Sequence, residues 1–373
     1  MTILLGMLAL LVTSPGLAIA ADTIRVALAE SVRVAEIHGV DIEVTPLVGG
    51  CPRCPGGPSW RTDVVRAAAV GTAVEIDGRP APGFRLASDR PLRINGREYA
   101  PPFEVVRNGG GLAVVNELPI ESYLAGVLRA EVGERWPMEA LRAQAIVART
   151  YAAYQRQISA GKPYHIVASI LHQQFAGRVS PTSVTWRAVQ DTAGQVLRWE
   201  GELFPAFYHT ESGGYTEDPR TVFAARNIPA LRAVVCPFSA GSPHYYWSLD
   251  VRLGDLTDML RRGGVDVGAL SVIEVTERTP SLRASVVTLQ GARGAVRLRG
   301  NELRRILGYD TLKSTLFAVA VDGENAHFAG RGYGHGVGLC QWGAKGMAEQ
   351  GHNARRILEF YYPGATLGFL DGR

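Results

Sequence analysis

The sequence predicts an α+β fold on three observations: a β-rich stretch over the first hundred or so residues, a pair of helices in the middle, and a mixed remainder with a glycine-alternating strand near the C-terminus. The β-rich part begins with Ile24-Arg25-Val26-Ala27-Leu28, which alternates in the period-2 manner of a strand, as does Ala73-Val74-Glu75-Ile76-Asp77-Gly78. Leu112-Ala113-Val114-Val115 follows the turn-forming Asn108-Gly109-Gly110-Gly111 and reads as a further strand. Pro46 to Ser59, rich in Gly, Pro and Cys, is expected as a loop.

The helical pair comes next. Pro119 suits a first helical turn, and Ile120, Tyr123, Leu124, Val127 and Leu128 then recur at helical spacing. Pro137 opens a second helix to about Ile158, with Gly161 as its stop signal; its Ala-rich stretch, Ala140 to Ala153, allows close packing. Residues 164–247 mix short strands with turns. An α/β insertion near 248–325 carries a helix (Leu253 to Arg262), a β-like run (Ala284 to Leu289) and a short helix near Asn301 to Leu307. Asn353 caps a final helix to Tyr361, and Pro363-Gly364 ends it. The expected organisation is a leader over 1–20, a β-rich region over 21–94, and a main domain over 95–373 that holds the insertion.

Composition narrows the function classes. The chain has 373 residues, 46% hydrophobic and 20% charged, with a formal net charge of +4 and no dense basic run. This is not a nucleic-acid footprint, and it suits an anionic polymer surface only weakly. Ile3 to Val12 is almost wholly apolar, Ser14-Pro15-Gly16 breaks the run, and Ala18-Ile19-Ala20 fits a cleavage site, although no Lys or Arg precedes the apolar stretch. The stretch is short for a membrane span. The expectation is an exported protein of the periplasm or cell envelope that is not integral to the membrane after processing. In that setting Cys51-Pro52-Arg53-Cys54 reads as a local disulfide rather than half a zinc site.

Three segments carry chemistry. On the first helix, the position three and four residues beyond Leu128 and Val127 is Glu131, so a carboxylate continues the apolar stripe. Desolvation there raises its pKa, as a general acid needs. The alternative is a helix-end glutamate paired with Arg129 or Arg135. The second segment, Gly330-Arg331-Gly332-Tyr333-Gly334-His335-Gly336-Val337-Gly338, puts glycine at every other residue. If extended, it has one bare face for a sugar ring and one face carrying Arg331, Tyr333 and His335; tight packing against the Ala-rich helix is the competing reading. In the third, Phe207 to Thr216, Ser212-Gly213-Gly214 is either a structural turn or a substrate contact, and the G-x-S-x-G pattern of a serine hydrolase is missing.

At these residues the chain resembles the SpoIID/LytB family. Leu118 to Glu131 and Trp136 to Tyr151 resemble its paired-helix motifs, Ser212 to Glu217 its S-G-G-x-T-E, Gly330 to Ala344 its G-R-G-x-G-H-G-V-G block with the following Q-W-G-A, and Tyr361-Tyr362-Pro363-Gly364 its closing Y-Y-P-G. The resemblance spans roughly residues 95–373. It implies a peptidoglycan lytic transglycosylase with Glu131 as the catalytic residue, and substrate contacts at Tyr208, Ser212, Gly213, Gly214, Arg331, Tyr333, His335 and Gln341. The implied ligand is the glycan strand, cut between N-acetylmuramic acid and N-acetylglucosamine. A role beside a cell-wall amidase, without catalysis, is associated with the same relatives. Some members carry Cys and His residues suggestive of zinc ahead of the Q-x-Y/F-x-G stretch; here Tyr164 to Gly177 has His165 and His172 but no cysteine, so no metal and no cofactor is expected.

Overall fold

The computed structural model describes residues 23–49, 51–223 and 227–370. The expected leader lies outside the described residues. Thr23–Val32 runs antiparallel to Gly111–Pro119, with Ile24 opposite Leu118. From there one sheet continues through Phe103–Asn108, Gly83–Ala87, Val34–Val48 and Trp60–Val70. Leu92–Ile94 pairs with both Val34–Val48 and Arg97–Tyr99, so the sheet crosses residue 94 without a break.

Two local expectations change. Arg25 belongs to an alternating strand yet is only 5% exposed. Ile166–Val167 pairs parallel with this strand and makes it an interior one. Arg25 is then held by Glu104 at 2.6 Å, by Glu117 at 3.0 Å and by the Pro163 carbonyl at 2.7 Å. A buried charge survives only with such partners. Within the expected loop 46–59, Cys51–Pro55 forms a short strand on the end of Val34–Val48. Prolines are tolerated there because it is a short edge strand. Cys54 is disulfide-bonded, whereas Cys236 and Cys340 are free, buried thiols.

Helix α1 (Ile120–Glu131) follows directly, with Pro119 as its N-cap. Its apolar stripe, Ile120, Tyr123, Leu124, Val127 and Leu128, packs on the sheet in one core with Ile24, Val26, Phe103 and Val114. Helix α2 (Met138–Ile158) lies between two cores. Leu141, Ala145, Ala148 and Ala152 face the first, while Ala143, Ile146 and Val147 face a second core built with Val337, Leu339, Ile357 and Tyr361. Burial on both sides is the reason for its alanine content: small side chains let elements approach from either face. Two further helices, α3 (Val184–Asp191) and α4 (Pro219–Phe223), precede the insertion.

The insertion has a core of its own around Trp247, Leu260, Val287, Leu303 and Phe328. It holds two three-stranded antiparallel sheets and helices α5 (Leu253–Arg262) and α6 (Gly300–Leu307), close to the expected elements. Its last strand, Asn325–Arg331, leads straight into the glycine-rich segment. Helix α7 (Gln341–Glu349) and helix α8 (Ala354–Tyr361) complete the second core, with Asn353 capping α8 as expected.

The glycine-rich segment differs from the extended strand the alternation suggests. Only Gly330 and Arg331 belong to a strand. Gly332, Gly334, Gly336 and Gly338 have φ of 83°, 117°, 87° and 72°. Alternate left-handed residues wind the chain, so the segment has no continuous bare face, and the glycines are required by backbone conformation.

Candidate active site

Glu131 is the last residue of α1, half-buried and set at the foot of a cleft of about 220 Å³. What places its neighbours is Gly126, one turn and a residue earlier. A Cβ there would stand 2.4 Å from the Phe175 ring and 2.5 Å from the Gly177 carbonyl. Its absence lets the 173–177 loop lie on the helix, where the Ala176 N–H donates to the Gly126 carbonyl at 3.2 Å. The Gln174 N–H then reaches Glu131 Oε1 at 2.8 Å. From the other side, Gln341 at the start of α7 donates through Nε2 to Glu131 Oε2 at 3.3 Å. Among the described residues Glu131 makes no ion pair; the arginine-paired, helix-end arrangement is absent. Burial pushes the Glu131 pKa up, and the donors from Gln174 and Gln341, with the nearby Tyr208 hydroxyl, hold back part of that rise.

Tyr208 lines the cleft, and its hydroxyl is buried short of any full hydrogen bond. Burial, reinforced by Glu131, keeps it protonated far above the usual tyrosine range. Behind Glu131, Tyr123 donates to Gln173, whose amide donates to the Ala148 carbonyl of α2. This second row fixes the loop that carries Gln174.

His335 lines the cleft, but as a neutral ring. Its Nδ1 accepts from the Val337 N–H at 3.0 Å, so Nε2 carries the proton. Burial, aided by the Arg304 charge, lowers its pKa to about 3. Near neutral pH the ring is uncharged, and its contacts are hydrogen bonds. His209 beside it is likewise held well below the usual imidazole range by burial, its Nδ1 donating to the Val337 carbonyl.

The facing wall comes from the insertion. Tyr309 and Asp310 follow α6, and Asp310 accepts the Tyr333 hydroxyl proton in a hydrogen bond. Arg304 lies 4.8 Å over the Tyr309 ring and donates to the Leu312 carbonyl at 2.8 Å. Sequence reasoning missed these residues. No period or motif marks them, because they meet Glu131 only through the folding of a separate unit.

A family model described as Stage II sporulation protein (SpoIID) matches residues 108–199, and one described as a domain of unknown function (DUF8618) matches 238–338, the insertion. The Stage II sporulation protein D of Bacillus amyloliquefaciens is 30% identical over 273 residues, which cover 69% of this chain and 76% of that protein. The chain belongs to the SpoIID/LytB family. An uncharacterized protein of Brachyspira hyodysenteriae is 30% identical over 80% of both chains. The amidase enhancer of Bacillus subtilis is 31% identical over 65% of this chain but only 40% of its own length.

The SpoIID/LytB motif residues divide into three places. Tyr208, Tyr333 and His335 line the cleft, and Gln341 touches Glu131 directly. Ser212, Gly213 and Gly214 do not line it. Ser212 is fully buried, its Oγ accepts from the Gly214 N–H, and its carbonyl accepts from Arg283 of the insertion at 2.6 Å. Glu217, ending the same motif, accepts from Thr279 at 2.6 Å and Ser281 at 2.5 Å. The motif is thus a turn that clamps the insertion and so fixes the second cleft wall. Arg331 faces a different groove altogether. Glu121 also serves the fold, because it holds the fully buried Arg149 at 2.6 Å and accepts from the Gly194 N–H. Among the described residues no group of three or more His, Cys, Asp or Glu side chains is arranged to hold a metal, and no helix is long and apolar enough to cross a membrane.

Proposed function

We propose that the protein is an exported peptidoglycan lytic transglycosylase with Glu131 as its general acid and base. The observation that carries this reading is a carboxyl with a raised pKa and no ion-pair partner among the described residues, held on both oxygens by donors and facing an aromatic-walled cleft of about 220 Å³. A protonated Glu131 would give its proton to the oxygen linking N-acetylmuramic acid to N-acetylglucosamine as the bond to the anomeric carbon breaks. The muramic acid's own 6-hydroxyl would attack that carbon, and its proton would pass to the Glu131 carboxylate. The products are a strand ending in 1,6-anhydro sugar and a strand with a free 4-hydroxyl, and Glu131 is protonated again. An intramolecular nucleophile needs no second carboxylate to activate water. Tyr208, Tyr309 and Tyr333 line the cleft that would receive the sugars.

The test is mass analysis of purified glycan strands after incubation with the mature protein. New 1,6-anhydro ends support the reading; new reducing ends would indicate hydrolysis instead. The similarity to an amidase enhancer favours a second reading, in which the protein binds the wall and modifies an amidase without cutting glycan. Intact strands together with a stimulated wall amidase would establish that one.

A further inference from the structure

A second groove, of about 760 Å³, adjoins the cleft along the chain. Gly330 and Arg331 line this groove, while Tyr333 and Gly334 line the cleft. Arg331 and Tyr333 are two residues apart, so their backbones are separated by at most about 7 Å.

The groove is built from specific choices. Trp247 lies opposite Gly330 in the strand pair, and a Cβ at Gly330 would stand 2.2 Å from the indole. Glycine there lets the indole lie across the strand and form a floor with Phe317, 6.4 Å away between ring centres. Tyr246 stands at the rim, 74% exposed. On the opposite rim Leu282 is 49% exposed and holds a φ of 67°, a conformation that costs a non-glycine residue energy and is kept by surrounding bonds. Arg278 supplies one of those bonds, donating to the Leu282 carbonyl at 2.7 Å, and another to the Phe317 carbonyl at 3.0 Å. Arg331 makes no ion pair among the described residues, and no Asp or Glu lines the groove. An aromatic floor and rim beside two guanidinium groups without a counter-charge match a sugar ring that bears a carboxylate.

We infer that this groove binds a carboxylate-bearing amino sugar of the glycan strand whose neighbouring stretch occupies the cleft, with Arg331 facing the carboxylate and Tyr246 covering the ring. The inference rests on the glycan reading of the cleft and names what holds the strand outside it. It gives Arg331, which lies outside the cleft, a role in reading the lactyl group that distinguishes N-acetylmuramic acid from N-acetylglucosamine.

Equilibrium binding of these two monosaccharides to the full chain carrying Glu131→Gln tests this without any need for cleavage. The muramic acid should bind about tenfold more tightly, the difference that one charge-assisted contact of ordinary strength makes. Arg331→Gln should bring the two affinities within about twofold, and Tyr246→Ala should weaken both sugars; thermal melts check that each variant is folded. Equal affinities in the parent, or a preference that survives Arg331→Gln, would overturn the inference. So would a groove that binds neither sugar but docks a wall amidase through Tyr246. A protein that cuts no glycan yet keeps the Arg331-dependent preference would sink the proposed activity and leave this assignment standing. One that cuts strands without any such preference would do the reverse.

Discussion

Replacing Glu131 by glutamine isolates proton transfer from everything else the residue does. The glutamine carbonyl can still accept from the Gln174 N–H that now sits 2.8 Å from Oε1. The Gln341 amide, 3.3 Å from Oε2, can turn its oxygen toward the new amide nitrogen, so at most one hydrogen bond of about 1 kcal/mol is at stake. Against that stands the cost of a half-buried carboxylate. The folded pKa of Glu131 is raised, so the folded state binds more protons than the unfolded one above the unfolded carboxyl pKa, and its contribution to stability falls as pH rises from there. Glutamine is free of that loss, and the variant should melt at or slightly above the parent temperature at pH 7. Activity should fall about 10²–10⁴-fold, the usual worth of general acid–base catalysis. Mass analysis of 1,6-anhydro ends on purified strands reads the rate, and a thermal melt reads the fold. Glu134→Gln is the control, because Glu134 is exposed and does not line the cleft; Glu121 would serve badly, since it holds the buried Arg149. Cleavage by the Glu131 variant within about tenfold of the parent would refute the reasoning and send the search to another acid.

Gln341→Leu removes a donor that stabilises the Glu131 carboxylate, so the pKa of Glu131 should rise further and the alkaline limb of kcat/KM move to higher pH; a limb that stays put or moves down would count against the contact. Gly126→Ala drives a methyl into the Phe175 ring and the Gly177 carbonyl, and should cost about 1–3 kcal/mol by denaturant unfolding while lowering cleavage in the surviving fold, because the Gln174 N–H is pushed off Glu131. Gly336→Val meets Arg283 Nη2 at 2.6 Å from a φ of 87°, so melting temperature should drop sharply; equal stability to the parent would restore the reading in which the glycines clear a face for a sugar ring.

Much of the scaffold is written locally. The stripe from Ile120 to Leu128 sets α1, Pro119 and Pro137 set the helix starts, and the same 3.6-residue count puts Glu131 at the end of a buried face. Helical periodicity depends on neighbours within a few residues, and tertiary packing had only to confirm it. The glycine pattern misled for the same reason. A period of two is the sign of a strand only if φ stays negative; the positive φ at Gly332 and Gly334 breaks the alternation between Arg331, Tyr333 and His335, and Arg331 lines another groove. The partners of Glu131 were decided by the tertiary structure alone. Gln174 is 43 residues away and Gln341 is 210 away. One arrives because Gly126 leaves room for a loop, the other because α7 packs against α2 in the second core. The facing wall, Arg304 to Asp310, depends on a turn at Ser212 to Glu217 gripping an insertion that folds around a core of its own. No spacing within a single element can encode contacts of that range, because they follow from how separately formed units come to rest on one another.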